Sequence, residues 1–237
     1  GDDRIAGGLG ADSLVGGAGA DTLTGGEGAD SLVGGDGTDI ASYAGATGGV
    51  AVDLVAQTAS GGAGNDTLLS IEGALGSDHA DTLTGGSGAN TLIAGAGNDV
   101  VFDAGGNNSL DGGAGVDRLT FTTSGFYEII RTGGTNGPLT ITYRGNDTAS
   151  GPGAGQSTTT AVNFEQFTYN QGIFDLTAPG WDGSDTLYVG LAADPPNVGV
   201  AGETLLGSNG ADNIAGGAGS DSLMGGAGAD TLTGGDG

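Results

Sequence analysis

Aliphatic residues recur along most of this chain at a spacing of nine, each flanked by polar or small residues. From Gly7 the sequence reads GGLGADSLV, GGAGADTLT, GGEGADSLV and GGDGTDIAS, and further runs occupy residues 61–120 and 207–233. In most units the eighth residue is aliphatic, the sixth is acidic, and the first, second and fourth are Gly. A fixed internal period of this kind predicts a solenoid, in which successive units stack on one another.

Each unit predicts a six-residue turn followed by a very short strand with one inward side chain. Glycine supplies the positive φ values and the close backbone approach that the turn requires. One unit cannot bury its own aliphatic residue, so we expect two units to form a coil, and coils to stack at about 4.8 Å, the spacing of hydrogen-bonded strands. The predicted inward residues are Leu14, Leu23, Leu32, Leu68, Leu83, Leu92, Val101, Leu110, Leu119, Ile214, Leu223 and Leu232.

The composition is extremely acidic and rich in glycine. The 237 residues include 56 Gly, 29 Asp or Glu, four Lys or Arg, one His and no Cys, and the net charge is −25. The shortage of bases argues against a nucleic-acid partner, and the lack of Cys excludes disulfides and thiolate metal sites. No apolar run is long enough for a membrane span. Such a composition is compatible with disorder, but the acidic residues are placed at one repeat position rather than scattered.

Stacking of alternate units brings the sixth-position carboxylates into columns on the two sides of the coil. Carboxylates about 5 Å apart repel strongly unless cations lie between them. A ligand set of carboxylate and carbonyl oxygens favours Ca²⁺ over Mg²⁺, which demands stricter geometry and retains water. We therefore predict several bound Ca²⁺ ions. The predicted acidic ligands are Asp3, Asp12, Asp21, Asp30, Asp39, Asp66, Asp81, Asp99, Asp117, Asp185, Asp212, Asp221 and Asp230.

The unit GGxGxDxUx, where U is aliphatic, resembles the RTX (hemolysin-type calcium-binding) nonapeptide repeat. The resemblance covers a little over half of the chain and implies an all-β fold, a calcium-binding parallel β-roll (a right-handed β-helix or solenoid). It also implies that each sixth-position Asp binds Ca²⁺ together with backbone carbonyls of the first four turn residues. The carbonyls implied in this way belong to Gly7, Gly8, Leu9, Gly10, Gly16, Gly17, Ala18, Gly19, Gly25, Gly26, Glu27, Gly28, Gly216, Gly217, Ala218, Gly219, Gly225, Gly226, Ala227 and Gly228.

Departures from the repeat divide the chain into five predicted segments. Residues 1–42 and 61–120 are β-roll, and residues 43–60 are a calcium-poor coil or an outward excursion. Residues 121–179 contain aromatic and β-branched runs that predict an all-β insertion with its own core. Residues 180–237 return to the repeat, degenerate at first and then regular. Because both ends cut the pattern, the chain is interpreted as part of a longer array, with neighbouring repeats of the parent chain as its partners.

Two departures affect the predicted metal sites. Asn90 and Asn108 replace Asp at sixth positions two units apart, so we expect them in one column next to Asp66. That side should bind Ca²⁺ weakly or not at all, or form turns that need no ion. The segment 70–75, SIEGAL, shifts the phase of the repeat and is predicted to be a looser turn.

The favoured function is a calcium-binding structural module of a secreted bacterial protein. Without Ca²⁺ the carboxylates repel and the small core cannot offset chain entropy, so we expect the chain to fold only on binding Ca²⁺. The resemblance adds export by type I secretion and a secreted or cell-surface location. An adhesin, a surface-layer protein, a toxin or an exoenzyme are all possible parents. No catalytic residue and no further cofactor are predicted.

The aromatic insertion is compatible with two other functions. Tyr127, Tyr143, Tyr169 and Trp181 would stack on a surface glycan or a protein partner, unless they form the core of the insertion. An enzyme would need a glycosidase-like carboxylate pair. The candidates for that pair, which are more simply solvent-facing residues, are Glu128, Asp147, Glu165 and Asp175.

Overall fold

The computed structural model describes residues 1–122, 127–131, 138–143, 157–169, 172–175, 186–191, 204–207, 213–215, 220–225 and 228–235. It divides into two compact units. The first contains Gly1–Thr122 and Ala161–Gln166, and the second contains Thr123–Thr160 and Phe167–Gly237. All regular elements in the described ranges are β-strands, and none of these ranges forms a helix long and apolar enough to cross a bilayer.

The first unit consists of short strands in two sheets. One sheet has the order β1-β3-β5-β9-β11-β13, and the other has the order β2-β4-β8-β7-β6-β10-β12-β14. The strands are β1 Arg4–Leu9, β2 Ser13–Gly19, β3 Thr22–Glu27, β4 Ser31–Gly37, β5 Ile40–Ser42, β6 Val50–Asp53, β7 Thr58–Gly61, β8 Gly64–Leu69, β9 Gly73–Leu75, β10 Thr82–Thr84, β11 Thr91–Ile93, β12 Val100–Asp103, β13 Ser109–Asp111 and β14 Arg118–Phe121.

Consecutive strands of the repeat alternate between the two sheets, and strands two apart pair in parallel. Leu23 lies opposite Ile5, and Leu32 lies opposite Leu14, so each pairing joins residues two repeat units apart. The same register continues between β10, β12 and β14 and between β11 and β13. The predicted fold class, an all-β parallel β-roll, is confirmed.

The core of the first unit consists of columns of eighth-position side chains. None of these side chains is more than 4% exposed: Leu14, Leu23, Leu32, Leu68, Leu83, Leu92, Val101, Leu110 and Leu119. Burying one such side chain contributes about 1.5–3 kcal/mol relative to an exposed position. The two sheets of the first unit therefore pack against each other mainly through one column of aliphatic side chains from each sheet.

An antiparallel hairpin interrupts the parallel pairing between β4 and β10. Strand β7 pairs antiparallel with both β6 and β8, while β8 continues the parallel pairing of β4. The hairpin turn after β6 is stabilised by Asp53, whose Oδ1 accepts the N–H groups of Val55 and Ala56, both at 2.9 Å. Residues 43–60 thus place two extra strands in one sheet.

The second unit combines antiparallel and parallel pairing. Strand β15 pairs antiparallel with β16 and β20, β20 pairs in parallel with β21, and β21 with β23; β22 and β24 form a parallel pair. The buried side chains include Ile129, Ile141 and Phe167, whereas Leu232 is 46% exposed. The remaining strands are β15 Tyr127–Arg131, β16 Leu139–Tyr143, β17 Ser157–Val162 and β18 Gln166–Tyr169 (both of which span the division), β19 Gly172–Asp175, β20 Thr186–Leu191, β21 Thr204–Gly207, β22 Asn213–Ala215, β23 Ser222–Met224 and β24 Thr231–Thr233.

Candidate metal centre

Backbone hydrogen bonds hold the sixth-position carboxylates of the first unit in columns. The Asp21 N–H donates to Oδ1 of Asp39 at 2.8 Å, and the Asp3 N–H donates in the same way to Asp21. On the other side of the roll, Asp99 accepts from the Asp81 N–H at 2.8 Å. One carboxylate oxygen of each column member is therefore occupied by the backbone of the preceding coil.

At six positions of the first unit the second carboxylate oxygen, Oδ2, is buried and has no hydrogen-bond partner. Asp21 is 1% exposed, and Asp39 and Asp117 are fully buried. A buried carboxylate oxygen without a donor is costly unless a positive charge compensates it. The residues that present such an oxygen are Asp12, Asp21, Asp30, Asp39, Asp99 and Asp117.

The turns that precede these six residues share one backbone conformation. The glycines at the second and fourth positions have positive φ, for example 106° at Gly26 and 146° at Gly28. A Cβ atom on Gly28 would overlap the carbonyl oxygen of Gly10 in the adjacent turn. We call these six the open turns; they span residues 7–12, 16–21, 25–30, 34–39, 94–99 and 112–117.

Within the stack of open turns, backbone carbonyl oxygens lie close to the carboxylate oxygens that have no donor. A Cβ built on Gly7 would lie 2.5 Å from Oδ2 of Asp12 and 2.7 Å from the carbonyl oxygen of Gly25 in the next turn. In the described residues, no three His, Cys, Asp or Glu side chains cluster as a metal site. Any ion in an open turn would thus have one or two carboxylates and several carbonyls as ligands, a set that fits Ca²⁺.

The sequence comparison agrees with this geometry. A family model described as RTX calcium-binding nonapeptide repeat (4 copies) matches residues 7–41, 56–70, 75–102, 97–121 and 206–237, more than half of the chain. The chain belongs to the RTX calcium-binding repeat family. No individual curated protein matches the chain. The part identified in this way is a non-catalytic RTX repeat domain, and RTX repeats bind Ca²⁺.

Two RTX turns differ because protein groups occupy both carboxylate oxygens; we call them the closed turns. In the turn 61–66, Oδ1 of Asp66 accepts the Asp30 N–H at 2.9 Å, and Oδ2 accepts the Tyr43 hydroxyl at 3.0 Å. In the turn 76–81, Oδ2 of Asp81 accepts the Ser77 N–H at 2.6 Å, while Oδ1 accepts the Ser77 hydroxyl at 2.8 Å. Neither turn has positive φ at both its second and fourth positions.

The two amide-bearing RTX turns lie in a different column from the one expected. Asn90 donates through Nδ2 to the Glu72 carbonyl at 3.1 Å, and its N–H donates to Oδ1 of Asn108 at 2.8 Å. Glu72 in turn follows Asp39 in its column. The expectation that both Asn lie beside Asp66 is therefore wrong. Asp39 and Glu72 are neighbours in this column although they are 33 residues apart, whereas Asp21 and Asp39 are two repeat units apart. Asn90, two units beyond Glu72, therefore lies in the column of Asp39.

The sequence interpretation missed Glu72 as a column member and gave Glu165 a different role. Oε2 of Glu72 accepts the Asp39 N–H at 3.0 Å, and Oε2 of Glu165 accepts the Asp117 N–H at 2.8 Å. Each Glu therefore takes the place that Asp occupies elsewhere. A sequence signal exists, because both follow a polar residue and one large apolar residue, in SIE and NFE.

Burial raises the pKa of several acidic groups in the first unit. Desolvation is the largest cause at Asp117, where it raises the pKa to about 6 despite the hydrogen bond from the Asp99 N–H, and the charges of Asp99, Glu165 and Asp111 add to it. Desolvation likewise raises the pKa of Asp99 and of Asp66. Burial thus disfavours the charged form of these three carboxylates.

Several predicted site residues lie outside the described part of the chain. These are Asp185, Asp212, Gly216, Gly217, Ala218, Gly219, Gly226 and Ala227, and the alternative-site residues Asp147 and Trp181. In the second unit Asp230 is described, and its Oδ2 lies against Gly225 as in the first unit. Tyr127, a candidate for glycan stacking, is 3% exposed and contributes to a core.

Proposed function

We propose that this RTX domain is a calcium-dependent structural module that folds when Ca²⁺ fills its open turns. The observation that carries the proposal is the set of six buried Oδ2 atoms without a donor. Bound Ca²⁺ supplies the positive charge that these oxygens lack. The protein residues hold the site: each sixth-position Asp through Oδ2, and the turn glycines through carbonyls that the positive φ values bring close to the next coil.

The same reasoning separates the predicted ligands into two groups. Asp12, Asp21, Asp30, Asp39, Asp99 and Asp117 are proposed ligands together with their turn carbonyls. Asp66 and Asp81 are not, because Tyr43 and Ser77 already satisfy their carboxylates. The amide turns at Asn90 and Asn108 are proposed to hold no Ca²⁺. In the second unit Asp221 and Asp230 are proposed ligands on the strength of the repeat.

The size of the calcium effect is comparable to the stability of a whole domain. At about 1 mM Ca²⁺, a site with a Kd of about 0.1–1 mM stabilises the folded state by about 0.4–1.4 kcal/mol. Six such sites together contribute about 2–8 kcal/mol, against a typical net stability of about 5–15 kcal/mol. An effect of this size is large enough to decide whether a marginally stable chain is folded.

Stabilisation by Ca²⁺ at about 1 mM suits a protein that functions outside the cell. We propose that the chain remains largely unfolded at the low Ca²⁺ of the cytosol and folds after export, by the type I route that the RTX family implies. The location would be extracellular or on the cell surface, and the module would serve as a spacer or scaffold in a larger protein such as an adhesin.

The test is a Ca²⁺ titration of the full chain followed by far-UV circular dichroism. We expect a coil-like spectrum in excess chelator and a cooperative gain of β signal at submillimolar to millimolar Ca²⁺, with Mg²⁺ at the same concentrations giving little change. A chain that is fully folded in excess chelator would contradict the proposal.

A further inference from the structure

Two three-residue segments of the first unit interrupt the repeat in the same way. They are residues 70–72 (SIE) and residues 163–165 (NFE). The first residue of each, Ser70 or Asn163, has a positive φ of 51° or 55°, and the apolar residue after it is buried. Positive φ at a non-glycine residue is uncommon and costs energy, so its occurrence at both places indicates one shared local structure.

Both segments end on a Glu that continues a carboxylate column. The Asp39 N–H donates to Glu72 and the Asp117 N–H donates to Glu165, at 3.0 and 2.8 Å. Between two ordinary RTX turns, the Asp21 N–H donates to Oδ1 of Asp39 at 2.8 Å. Each Glu thus makes the contact that the sixth-position Asp of a complete turn makes.

The backbone of both segments also substitutes for a complete turn. The Asp39 carbonyl accepts the N–H groups of Glu72 and of the residue after it, at 3.0 and 2.9 Å, and the Asp117 carbonyl accepts the corresponding pair at 3.1 and 3.0 Å. The Ser70 carbonyl oxygen lies over Gly34, where in the preceding coil the Gly34 carbonyl oxygen lies over Gly16. Asn163 presents its carbonyl to Gly112 in the same way.

A separate observation indicates that a cation belongs at these two places. The turns 34–39 and 112–117 are open turns, and the Asp39 and Asp117 side chains are fully buried with Oδ2 lacking a donor. No complete glycine-rich turn follows either Asp in its column, because Glu72 and Glu165 come next. The missing half of each site must come from the SIE or NFE segment.

We propose that these segments are the closing halves of the calcium sites at Asp39 and Asp117. Glu72 and Glu165 supply the second carboxylate of each site, and Ser70 supplies a carbonyl oxygen as Asn163 does in the other. This inference rests on the proposed calcium-binding function. It assigns two metal-binding Glu residues outside the nine-residue repeat and makes each of SIE and NFE the closing half of one calcium site.

The test counts Ca²⁺ ions per chain by native mass spectrometry for the full chain and its Glu72→Gln and Glu165→Gln variants. A Gln oxygen can still accept the Asp N–H, so the column hydrogen bond is retained while the negative charge is lost. We expect one ion fewer in each single variant and two fewer in the double variant. Asp78→Asn is the matched control, because Asp78 is an exposed residue of a closed turn, and its ion count should equal that of the unaltered chain.

The outcomes separate this inference from the proposed function. If the unaltered chain binds no Ca²⁺, the proposed function fails and the inference with it. If it binds Ca²⁺ and both Gln variants bind as many ions as Asp78→Asn, only the role of the two Glu residues is overturned. Should a Gln variant fail to fold in saturating Ca²⁺, crystals of the unaltered chain grown with Ca²⁺ decide the matter. Anomalous peaks at Glu72 and Glu165 would support the inference, and their absence would overturn it.

Discussion

The turns 94–99 and 76–81 are neighbours in one column, yet their sixth-position carboxylates differ in how many of their oxygens accept hydrogen bonds. In the open turn Asp99 has one oxygen on the Asp81 N–H and the other unpartnered. In the closed turn Ser77 donates to both oxygens of Asp81. The first turn has glycines of positive φ at its second and fourth positions, where the second has Ser77 and His79.

The comparison shows that an Asp at the sixth position does not by itself leave a carboxylate oxygen without a donor. What separates the two kinds of turn is whether a donor reaches the second carboxylate oxygen. The turn 61–66 keeps Gly62 and Gly64 and receives its donor from Tyr43, whereas the turn 76–81 has Ser77 and His79 at these positions. A Ser at the second position brings both its N–H and its hydroxyl to Asp81. Closed turns therefore satisfy both carboxylate oxygens by hydrogen bonds, whereas open turns leave one of them without a donor.

The largest expected effect is the loss of an open turn through Gly28→Ala. The φ of 146° and the overlap of the new Cβ with the Gly10 carbonyl oxygen should destabilise the calcium-loaded chain by about 3 kcal/mol. Gly88→Ala is the matched control at the fourth position of an amide turn, where a Cβ meets nothing within 4 Å. Urea unfolding in saturating Ca²⁺ measures both, and equal midpoints for the two variants would contradict the distinction between the turns.

A smaller effect is expected when the closed turn at Asp66 loses its donor. Tyr43→Phe keeps the buried ring but removes the hydroxyl that donates to Asp66, and should cost about 2 kcal/mol. A double-mutant cycle with Asp66→Ala, by urea unfolding in saturating Ca²⁺, isolates this contact, because Ala has no side-chain atom that can bond to the Tyr43 hydroxyl. A coupling energy near zero would show that Tyr43 does not hold Asp66.

Ser77→Ala tests the second closed turn and should cost less. It removes the hydroxyl bond to Asp81 but leaves the Ser77 N–H in place, so we expect a loss of about 1 kcal/mol in the same unfolding experiment. The number of bound Ca²⁺ ions should not change. A gain of stability with an additional bound ion would contradict the account, because it would mean that the remaining Ser77 N–H does not keep Ca²⁺ from Asp81.

The smallest effect concerns the pH dependence of the calcium-free chain. The pKa of Asp117 is about 6 in the folded state, against 3.8 for an ordinary Asp. A raised folded-state pKa contributes stability that is present below the ordinary pKa and is lost as the pH rises through 6. In calcium-free buffer, β signal in circular dichroism should thus increase from pH 7 to pH 4, and Asp117→Asn should reduce this change. A decrease of β signal over that interval would contradict the account.

The roll itself could be predicted from the repeat, because a period of nine with one aliphatic position leaves few ways to bury Leu14, Leu23 and their equivalents. The family comparison and the two parallel sheets confirm that part. The column positions beyond Asp39 could not be predicted from the repeat. At that point the three-residue SIE segment takes the place of a complete turn, and Glu72, whose side chain is one methylene longer than that of Asp, makes the column contact. The contact of Tyr43 with Asp66, 23 residues apart, likewise depends on the path of the hairpin β6–β7.

Hydrogen exchange of the column amides, measured by NMR with Ca²⁺ and in excess chelator, tests the central claim most directly. The amides of Asp21, Asp81 and Asp99 donate to the carboxylates of the next coil, so their exchange reports the stacking of the roll residue by residue. If Ca²⁺ drives folding, these amides should exchange slowly with Ca²⁺ and at nearly unprotected rates in chelator. Equally slow exchange under both conditions would show that the roll stands without the ion.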